Sequence, residues 1–215
     1  MKLLLENWRK YLNEGLEDQL KAVKKNPNVL IAIQPYYDGF VIFYTTEEIL
    51  KILGDKAHWA EGREMMKKKN LPAGTLELEK SAKTHRPAGM GGEPYGNCKG
   101  AYHIGSVNAK GWGPLLYDIA MEWTTMKGSG LIADRQSQTL EARVVWDYYM
   151  KNRLGEINPV QLDDLNNTRT PEEEDNCNQI VAGDNWQEPT NPLSKIYTKK
   201  PTTIKALGNQ IRRLK

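Results

Sequence analysis

The chain has 215 residues, of which 39% are hydrophobic and 27% are charged, and its formal net charge at pH 7 is +3. This composition is typical of a globular protein with enough length for one main domain and a sizeable core. A net charge this small does not by itself require a nucleic-acid partner. No stretch approaches the roughly 18 apolar residues of a membrane span, so we expect a soluble protein that does not bind membranes.

The first 23 residues carry an apolar stripe at every fourth position, which predicts an amphipathic helix. Gly15 interrupts it, and glycine inside a helix costs about 1 kcal/mol relative to alanine, so we expect residues 1–14 to be a separable unit. The stripe consists of Leu4, Trp8, Leu12, Leu16 and Leu20.

Two apolar, β-branched runs, VLIAIQ and FVIFYTT, are joined by PYYDG, which predicts a β-hairpin. Thr45 stands three residues before Glu48, the spacing of a capping box, and predicts the start of a short helix that Gly54 ends. A second helix is predicted over about residues 58–69, and a strand over residues 74–83.

A glycine- and proline-rich stretch, RPAGMGGEPYGN, is then predicted to be a loop. The strand pattern returns from Cys98 to Val107, and a glycine turn leads into a helix. GLIADR predicts a further strand, and Ser137 the cap of a helix that runs to about Asn152. This succession predicts an α/β fold with a mixed, partly parallel central sheet flanked by helices.

Beyond Gly155 the chain is poorer in apolar residues, and we expect loops and edge strands, with short strands at VQLDD and SKIYTKK. The last acidic residue is Glu188, and seven Lys or Arg residues follow it. Residues 193–215 are therefore expected to form a basic C-terminal segment. Such a segment is either a solvated tail or an arm that contacts nucleic-acid phosphates.

The two cysteines, Cys98 and Cys177, are far apart in the sequence and have no paired spacing. We therefore expect neither a disulfide framework nor a zinc site, and a reducing compartment is the natural environment. The histidines at positions 58, 85 and 103 show no ligand spacing with each other or with the cysteines, so no metal is predicted.

The turn between the predicted strand and the helix that follows it has the composition of an anion-binding site. Gly111 and Gly113 allow a tight turn, and Pro114 pre-sets the helical dihedral where an amide hydrogen would be unpaired. Outward amides and the positive end of the helix dipole would then hold a phosphate or pyrophosphate, with Lys110 adding a full charge. Most glycine turns before helices bind nothing, so this signal alone is weak. We call this segment the glycine junction; its residues are Val107, Asn108, Ala109, Lys110, Gly111, Trp112, Gly113 and Pro114.

The segment YHIGSVNAKGWGPLLYDIAMEWTTMKGSGLIADRQSQTLEARVVWDYY resembles the core of the GCN5-related N-acetyltransferase family, over about residues 98–152. In that family a strand ending in valine leads into an R/Q-x-x-G-x-G/A loop whose amides bind the coenzyme A pyrophosphate. Asn108, Gly111 and Gly113 stand at the three defined positions. A strand and a helix follow, as they do here, with Ala142 where the family commonly has alanine.

The chain departs from the family pattern at two positions. Asn108 replaces the usual Arg or Gln, and Lys110 is the charge that compensates. Trp146 stands where the family often has the tyrosine that protonates the departing thiolate. Tyr149, one turn further along the helix, is the nearest group for that role and the catalytic residue that the resemblance implies. A tyrosine at helical spacing with Ala142 and Trp146 is also typical of a core position.

The resemblance implies transfer of an acetyl group from the thioester of acetyl-CoA to an unidentified amine, with strand amides polarising the carbonyl. Glu77, Glu79 and His103 are of a suitable type to take the amine proton, and no spacing selects one of them. An alternative is a non-catalytic virion-associated or DNA-associated protein that retains the fold. A third interpretation is a transferase that modifies nucleic-acid bases, for which the basic C-terminal segment is the only indication.

The N-terminal sequence MKLLLENWRKYLNE resembles the leader on head-internal proteins of T-even-type tailed phages, where a maturation protease cuts after Glu in an L/I-x-E motif. Leu12, Asn13 and Glu14 match that motif; an ordinary helix packed on the domain is the other interpretation. The resemblance implies a cleavable leader over residues 1–14, a transferase-like domain over 15–192 and the basic segment over 193–215. It also implies phage head components as partners, and a location in the virion head interior or the bacterial host cytoplasm.

Overall fold

A computed structural model describes the chain over residues 15–54, 59–80, 98–133, 140–162 and 190–215. Its strands are β1 (Leu30–Tyr36), β2 (Gly39–Thr45), β3 (Thr75–Lys80), β4 (Ala101–Asn108), β5 (Gly130–Ile132), β6 (Ile157–Gln161), β7 (Lys195–Lys199) and β8 (Ile211–Arg213). Its helices are α1 (residues 15–25), α2 (Glu47–Leu53), α3 (Trp59–Lys68), α4 (Gly113–Lys127), α5 (Leu140–Asn152) and α6 (Thr202–Leu207). Three expectations lie outside these residues: the leader over 1–14, the glycine-rich loop over 86–97 and the helix cap at Ser137.

The strands form one mixed sheet in the order β6-β7-β5-β4-β3-β2-β1-β8. β4 and β5 are parallel, and so are β1 and β8, whereas the β1–β2, β2–β3, β5–β7 and β6–β7 pairs are antiparallel. Helix α4 connects β4 to β5, as a parallel pair requires a crossover connection. The prediction of an α/β fold with a mixed, partly parallel sheet is confirmed.

Contacts divide the chain into two compact units. The first comprises the described part of residues 1–78 together with residues 105–120 and 201–215; the second comprises the described part of residues 79–104 and 121–200. The glycine junction therefore belongs to the first unit, and α5 belongs to the second.

The predicted hairpin is confirmed as β1 and β2. Its register runs from Leu30 paired with Thr45 to Tyr36 paired with Gly39. Pro35, which the sequence places in the turn, lies within β1 instead, where it pairs with a residue of β2.

Helix α2 begins one residue later than the capping-box spacing predicts. Thr46 is the N-cap, because its hydroxyl oxygen accepts a hydrogen bond from the amide of Ile49 at 3.2 Å. Thr45 is still paired as the last residue of β2, and the residue after it makes the capping hydrogen bond. Gly54 ends the helix as predicted, with φ 60°, a value that glycine adopts without strain.

Helix α4 is buried on every side over most of its length, from Pro114 to Thr124. Its apolar face is buried, and so are Asp118 and Glu122 on its polar side; the apolar face consists of Leu116, Ile119, Ala120 and Trp123. Asp118 accepts a hydrogen bond from the hydroxyl of Thr203 at 2.7 Å, within the first unit. Glu122 forms an ion pair with Lys199, within the second unit. Buried carboxylates need such partners. Helix α4 is therefore buried on its polar side as well as on its apolar side.

The basic C-terminal segment is folded, so a solvated tail is the wrong description of its described part. The strand predicted at SKIYTKK is β7, which lies between β6 and β5 and is therefore not an edge strand. The sequence pattern missed α6 and β8, which follow it. The side-chain amide nitrogen of Gln210 donates to the carbonyl oxygens of Val23, Asn26 and Val29 at 2.8–3.1 Å, which fixes the approach to β8 against the end of α1.

Cys98 is buried and disulfide-bonded, which corrects the expectation that the cysteines form no disulfide. The other cysteine of the chain, Cys177, lies outside the described residues. Separation along the sequence does not limit separation in the fold, so spacing alone was a poor guide here.

Candidate functional site at the glycine junction

The strand that leads into the glycine junction is exposed at its end although it stands in the middle of the strand order. Its pairing with β5 covers Ala101 to His103 only, and the strand continues to Asn108. The residues from Gly105 to Asn108 are all exposed, with Val107 37% accessible. Main-chain groups at such a strand end can pair with an extended ligand that carries amides.

The junction itself is a tight turn followed by the first turn of α4. The amide of Trp112 donates to the carbonyl of Ala109 at 2.8 Å, and Gly111 at the third position of this turn has φ 81°. That conformation is one that a turn of this kind reserves for glycine. A Cβ added to Gly113 would meet no atom within 4 Å, so the space beside it is open. Lys110 is exposed at the same turn.

The opposite side of the turn is closely packed. A Cβ added to Gly74 would come within 2.5 Å of the Ala109 Cβ, so Gly74 allows the two segments to touch. The Tyr44 hydroxyl donates to the carbonyl of Trp112 at 3.1 Å, and the two rings lie 5.7 Å apart, edge to face. These contacts hold the turn in place without filling the space beside Gly113.

A side chain that sequence reasoning missed occupies part of the helix start. Gln19 of α1 is buried; its Oε1 accepts from the amide of Leu115 at 3.0 Å, and its Nε2 donates to the carbonyl of Gly111 at 2.8 Å. The first amides of a helix have no partner within the helix, and Gln19 satisfies one of them. No local pattern predicts a bond across more than ninety positions; the only sign is a glutamine beside the leucine stripe.

The residues present fit a pyrophosphate in part. Gly111 and Gly113 provide the open, backbone-lined turn at the positive end of α4, and Lys110 provides a charge, as the sequence predicts. The amide of Leu115 is engaged by Gln19 and is not offered to a ligand in this arrangement. The open space at this turn is therefore on the Gly113 side.

Tyr149, the predicted proton donor, is 1% exposed on α5 in the second unit. Its ring packs edge to face on Tyr148 at 5.6 Å, and the guanidinium of Arg153 lies 5.8 Å from the ring centroid. Trp146 packs on the ring of Tyr197 at 4.9 Å. Burial, with Asp147 as a further cause, raises the pKa of the Tyr197 phenol. These side chains have core surroundings, as the alternative interpretation of Tyr149 expected.

Among the candidate bases, the structure brings two together. His103 Nε2 and Glu79 Oε2 lie 3.8 Å apart in the second unit, with the imidazole buried and the carboxylate side chain 41% exposed. Glu77 lies on β3 in the first unit and is half-buried. The neighbouring β3 and β4 positions explain the contact of Glu79 with His103, which spacing along the sequence did not reveal.

The charges of the basic segment are partly engaged by other residues of the fold. Lys199 is paired with Glu122, and Lys195 donates to the side-chain oxygen of Gln161. Arg212 pairs with Glu47 at 2.6 Å. Fewer charges of this segment are thus directed to solvent than the sequence count suggests, which weakens the case for a phosphate-binding arm.

No group of three or more His, Cys, Asp or Glu residues that could hold a metal ion occurs within the described ranges. Across those same ranges, every helix is too short or too polar to cross a membrane.

Comparison with known proteins gives no match. No family model matches the chain, and neither a curated protein nor a solved structure does so.

Proposed function

We propose that this protein is an acyltransferase that moves an acetyl group from acetyl-CoA to an amine, with the glycine junction binding the coenzyme pyrophosphate. The observation that carries the proposal is the exposed end of β4 running into a turn whose open side is lined by Gly111 and Gly113. The strand–helix–strand–helix order of β4, α4, β5 and α5, with β4 and β5 parallel, is the order that the resemblance implies.

Each part of the junction has a task in this proposal. The amides near Gly111 and Gly113 and the charge of Lys110 hold the pyrophosphate. The main-chain groups of β4 from Gly105 to Asn108 orient the amide-bearing arm of the coenzyme and polarise the carbonyl. When bound, acetyl-CoA supplies an activated thioester. Tyr149 is the proposed donor of a proton to the departing thiolate, and the amine proton passes to a base of the chain.

Thermal unfolding with acetyl-CoA tests the binding step. At about 100 times its dissociation constant the ligand should stabilise the fold by about 2.7 kcal/mol, because it binds only the folded state. S-acetyl-N-acetylcysteamine, a thioester without phosphates, should give no comparable shift. An unchanged melting temperature with acetyl-CoA would contradict the proposal.

A second candidate is a non-catalytic protein that retains the fold. Two observations favour it: Gln19 already binds the amide of Leu115, and Tyr149 is almost completely buried. In this case the basic segment and the N-terminal sequence would serve to attach the protein to DNA or to phage head components. Such a protein melts at the same temperature with and without acetyl-CoA.

We further propose that the chain is phage-encoded and that its first 14 residues are a leader removed in the virion head. The support is the Leu12-Asn13-Glu14 motif and its position after an amphipathic sequence pattern; both lie outside the described residues. The intact mass of the protein from purified virions should correspond to a chain beginning at Gly15. A mass that retains the first 14 residues would contradict cleavage, and absence from virions would leave the host cytoplasm as its location.

A further inference from the structure

The start of helix α4 offers fewer amides to a ligand than an ordinary helix start. The first amides of a helix have no partner within the helix, and in α4 the first three residues are Gly113, Pro114 and Leu115. Proline has no amide hydrogen. The amide of Leu115 donates to Oε1 of Gln19 at 3.0 Å. Gly113 is therefore the residue of these three whose amide is left for a ligand.

Gln19 is bound to both sides of this helix start. Its Oε1 accepts from Leu115, its Nε2 donates to the carbonyl oxygen of Gly111 at 2.8 Å, and the residue is 5% exposed. A Cβ added to Gly15 would lie 3.5 Å from Gln19 Nε2 and 3.7 Å from the Cγ of Pro114. The first turn of α1 thus lies against the first turn of α4, and the oxygen of Gln19 takes a donor that an anion at this helix start would use.

A phosphate oxygen is a better acceptor for the Leu115 amide than the side chain of Gln19. The Gln19 oxygen is neutral, whereas a phosphate oxygen carries negative charge, and hydrogen bonds to charged acceptors are the stronger ones. The dipole of α4 adds to this preference, because its positive end faces the anion. The space for the phosphate oxygen is the space that the Gln19 amide leaves, in the same helical turn as the open side at Gly113.

We propose that Gln19 is an intramolecular competitor of the coenzyme pyrophosphate: it occupies the Leu115 amide in the free protein and leaves it when the anion binds. The inference rests on the proposed function, which places the pyrophosphate at the glycine junction. Because Gln19 belongs to α1, α1 becomes a regulatory element of the site. A change that draws α1 away from α4 should strengthen anion binding, and a bound anion should weaken the hold of α4 on α1 to the same extent.

The test is isothermal titration calorimetry of the full chain with inorganic pyrophosphate, beside thermal unfolding of the free chain. Gln19→Ala should lower the melting temperature, because two hydrogen bonds are lost. It should nevertheless bind pyrophosphate about tenfold more tightly than the wild type, because the Leu115 amide no longer has a competing acceptor. A purely structural role of Gln19 would lower the melting temperature without tightening binding.

Gln19→Glu keeps the shape of the side chain and places a negative charge at the same point. It should bind pyrophosphate roughly tenfold more weakly than the wild type, because the carboxylate repels the anion. In the wild type, ¹H–¹⁵N NMR should show that pyrophosphate shifts two signals together, the backbone amide of Leu115 and the side-chain amide of Gln19. Shifts at neither signal would contradict the displacement of Gln19.

Thr46→Ala is the matched control, since the hydroxyl of Thr46 also occupies an amide at a helix start of the first unit, that of Ile49 in α2. It should lower the melting temperature and leave the affinity for pyrophosphate unchanged. Equal or weaker pyrophosphate binding by Gln19→Ala would overturn the proposal, and so would equally tightened binding by Thr46→Ala.

The melting temperature of the wild type with acetyl-CoA separates this proposal from the proposed function. No shift with acetyl-CoA, together with tight pyrophosphate binding by Gln19→Ala, would contradict the transferase and support the competition by Gln19. A shift with acetyl-CoA, together with unchanged pyrophosphate binding by Gln19→Ala, would contradict only the role of Gln19.

Discussion

Replacing Glu122 by glutamine should lower the free energy of unfolding by about 3–5 kcal/mol, because it leaves the charge of Lys199 buried without its counter-charge. The side chain of Lys199 is 1% exposed and that of Glu122 is 0% exposed, so water cannot take the place of the lost carboxylate. The pair joins α4 to the end of β7, where the amide of Lys199 also donates to the hydroxyl of Thr125 at 3.0 Å. Denaturation in guanidinium chloride, with the slope compared between variants, measures the change.

Two comparisons separate the charge from the general effect of substitution. The double variant Glu122→Leu with Lys199→Met should unfold within about 1–2 kcal/mol of the wild type, because removing both charges removes the desolvation penalty as well. Glu47→Gln breaks the exposed pair with Arg212 and should cost no more than about 1 kcal/mol. If Glu122→Gln costs as little as Glu47→Gln, the pair is not buried in solution as the structure describes.

The sequence correctly predicts the elements that follow from a local pattern of residues or from the connection between two strands. The hairpin follows from two β-branched runs, and the parallel placement of β4 and β5 follows from the helix between them, since a crossover leaves few other arrangements. The end of α2 at Gly54 follows from one residue with φ 60°. In each case the deciding signal lies in the element itself or in the segment that connects it to the next one.

The elements that were mispredicted depend on distant partners. The burial of α4 on all sides requires Thr203 and Lys199 as partners for its carboxylates. Both partners belong to the C-terminal segment, which its composition indicated to be a basic tail. That segment looks polar because its lysines are counted as exposed charges, whereas Lys195 and Lys199 are buried next to partners. Composition cannot distinguish a charged side chain that is exposed to solvent from one that is buried next to a polar or oppositely charged partner.

The candidate site also has a part that the local sequence predicts and a part that depends on distant residues. The glycine turn is local, so Gly111 and Gly113 could be selected from the sequence, and the structure gives them the conformation and the open space that an anion would need. Gln19, which determines how much of the helix start is open, contacts the junction from another helix, and no spacing rule connects it to Leu115.

Replacing Gly113 by leucine should abolish the stabilisation by acetyl-CoA, a loss of about 2.7 kcal/mol at about 100 times the wild-type dissociation constant. The new side chain would enter the open space beside the turn, where the proposed pyrophosphate lies. The free protein should be nearly as stable as the wild type or more stable, because a Cβ there meets no atom within 4 Å and leucine favours a helix over glycine. The measurement is the melting temperature of the variant with and without acetyl-CoA.

Gly155→Leu is the matched control for this experiment, because a Cβ at Gly155 also meets no atom within 4 Å and that glycine lies in a turn of the second unit. It should keep the full shift with acetyl-CoA. If Gly113→Leu keeps the shift in melting temperature, acetyl-CoA does not bind at the glycine junction. If the shift is lost in Gly113→Leu and kept in Gly155→Leu, the ligand binds at the glycine junction, because the two variants carry the same new side chain and differ only in its position. The contact of Gln19 with Leu115 would then not prevent binding.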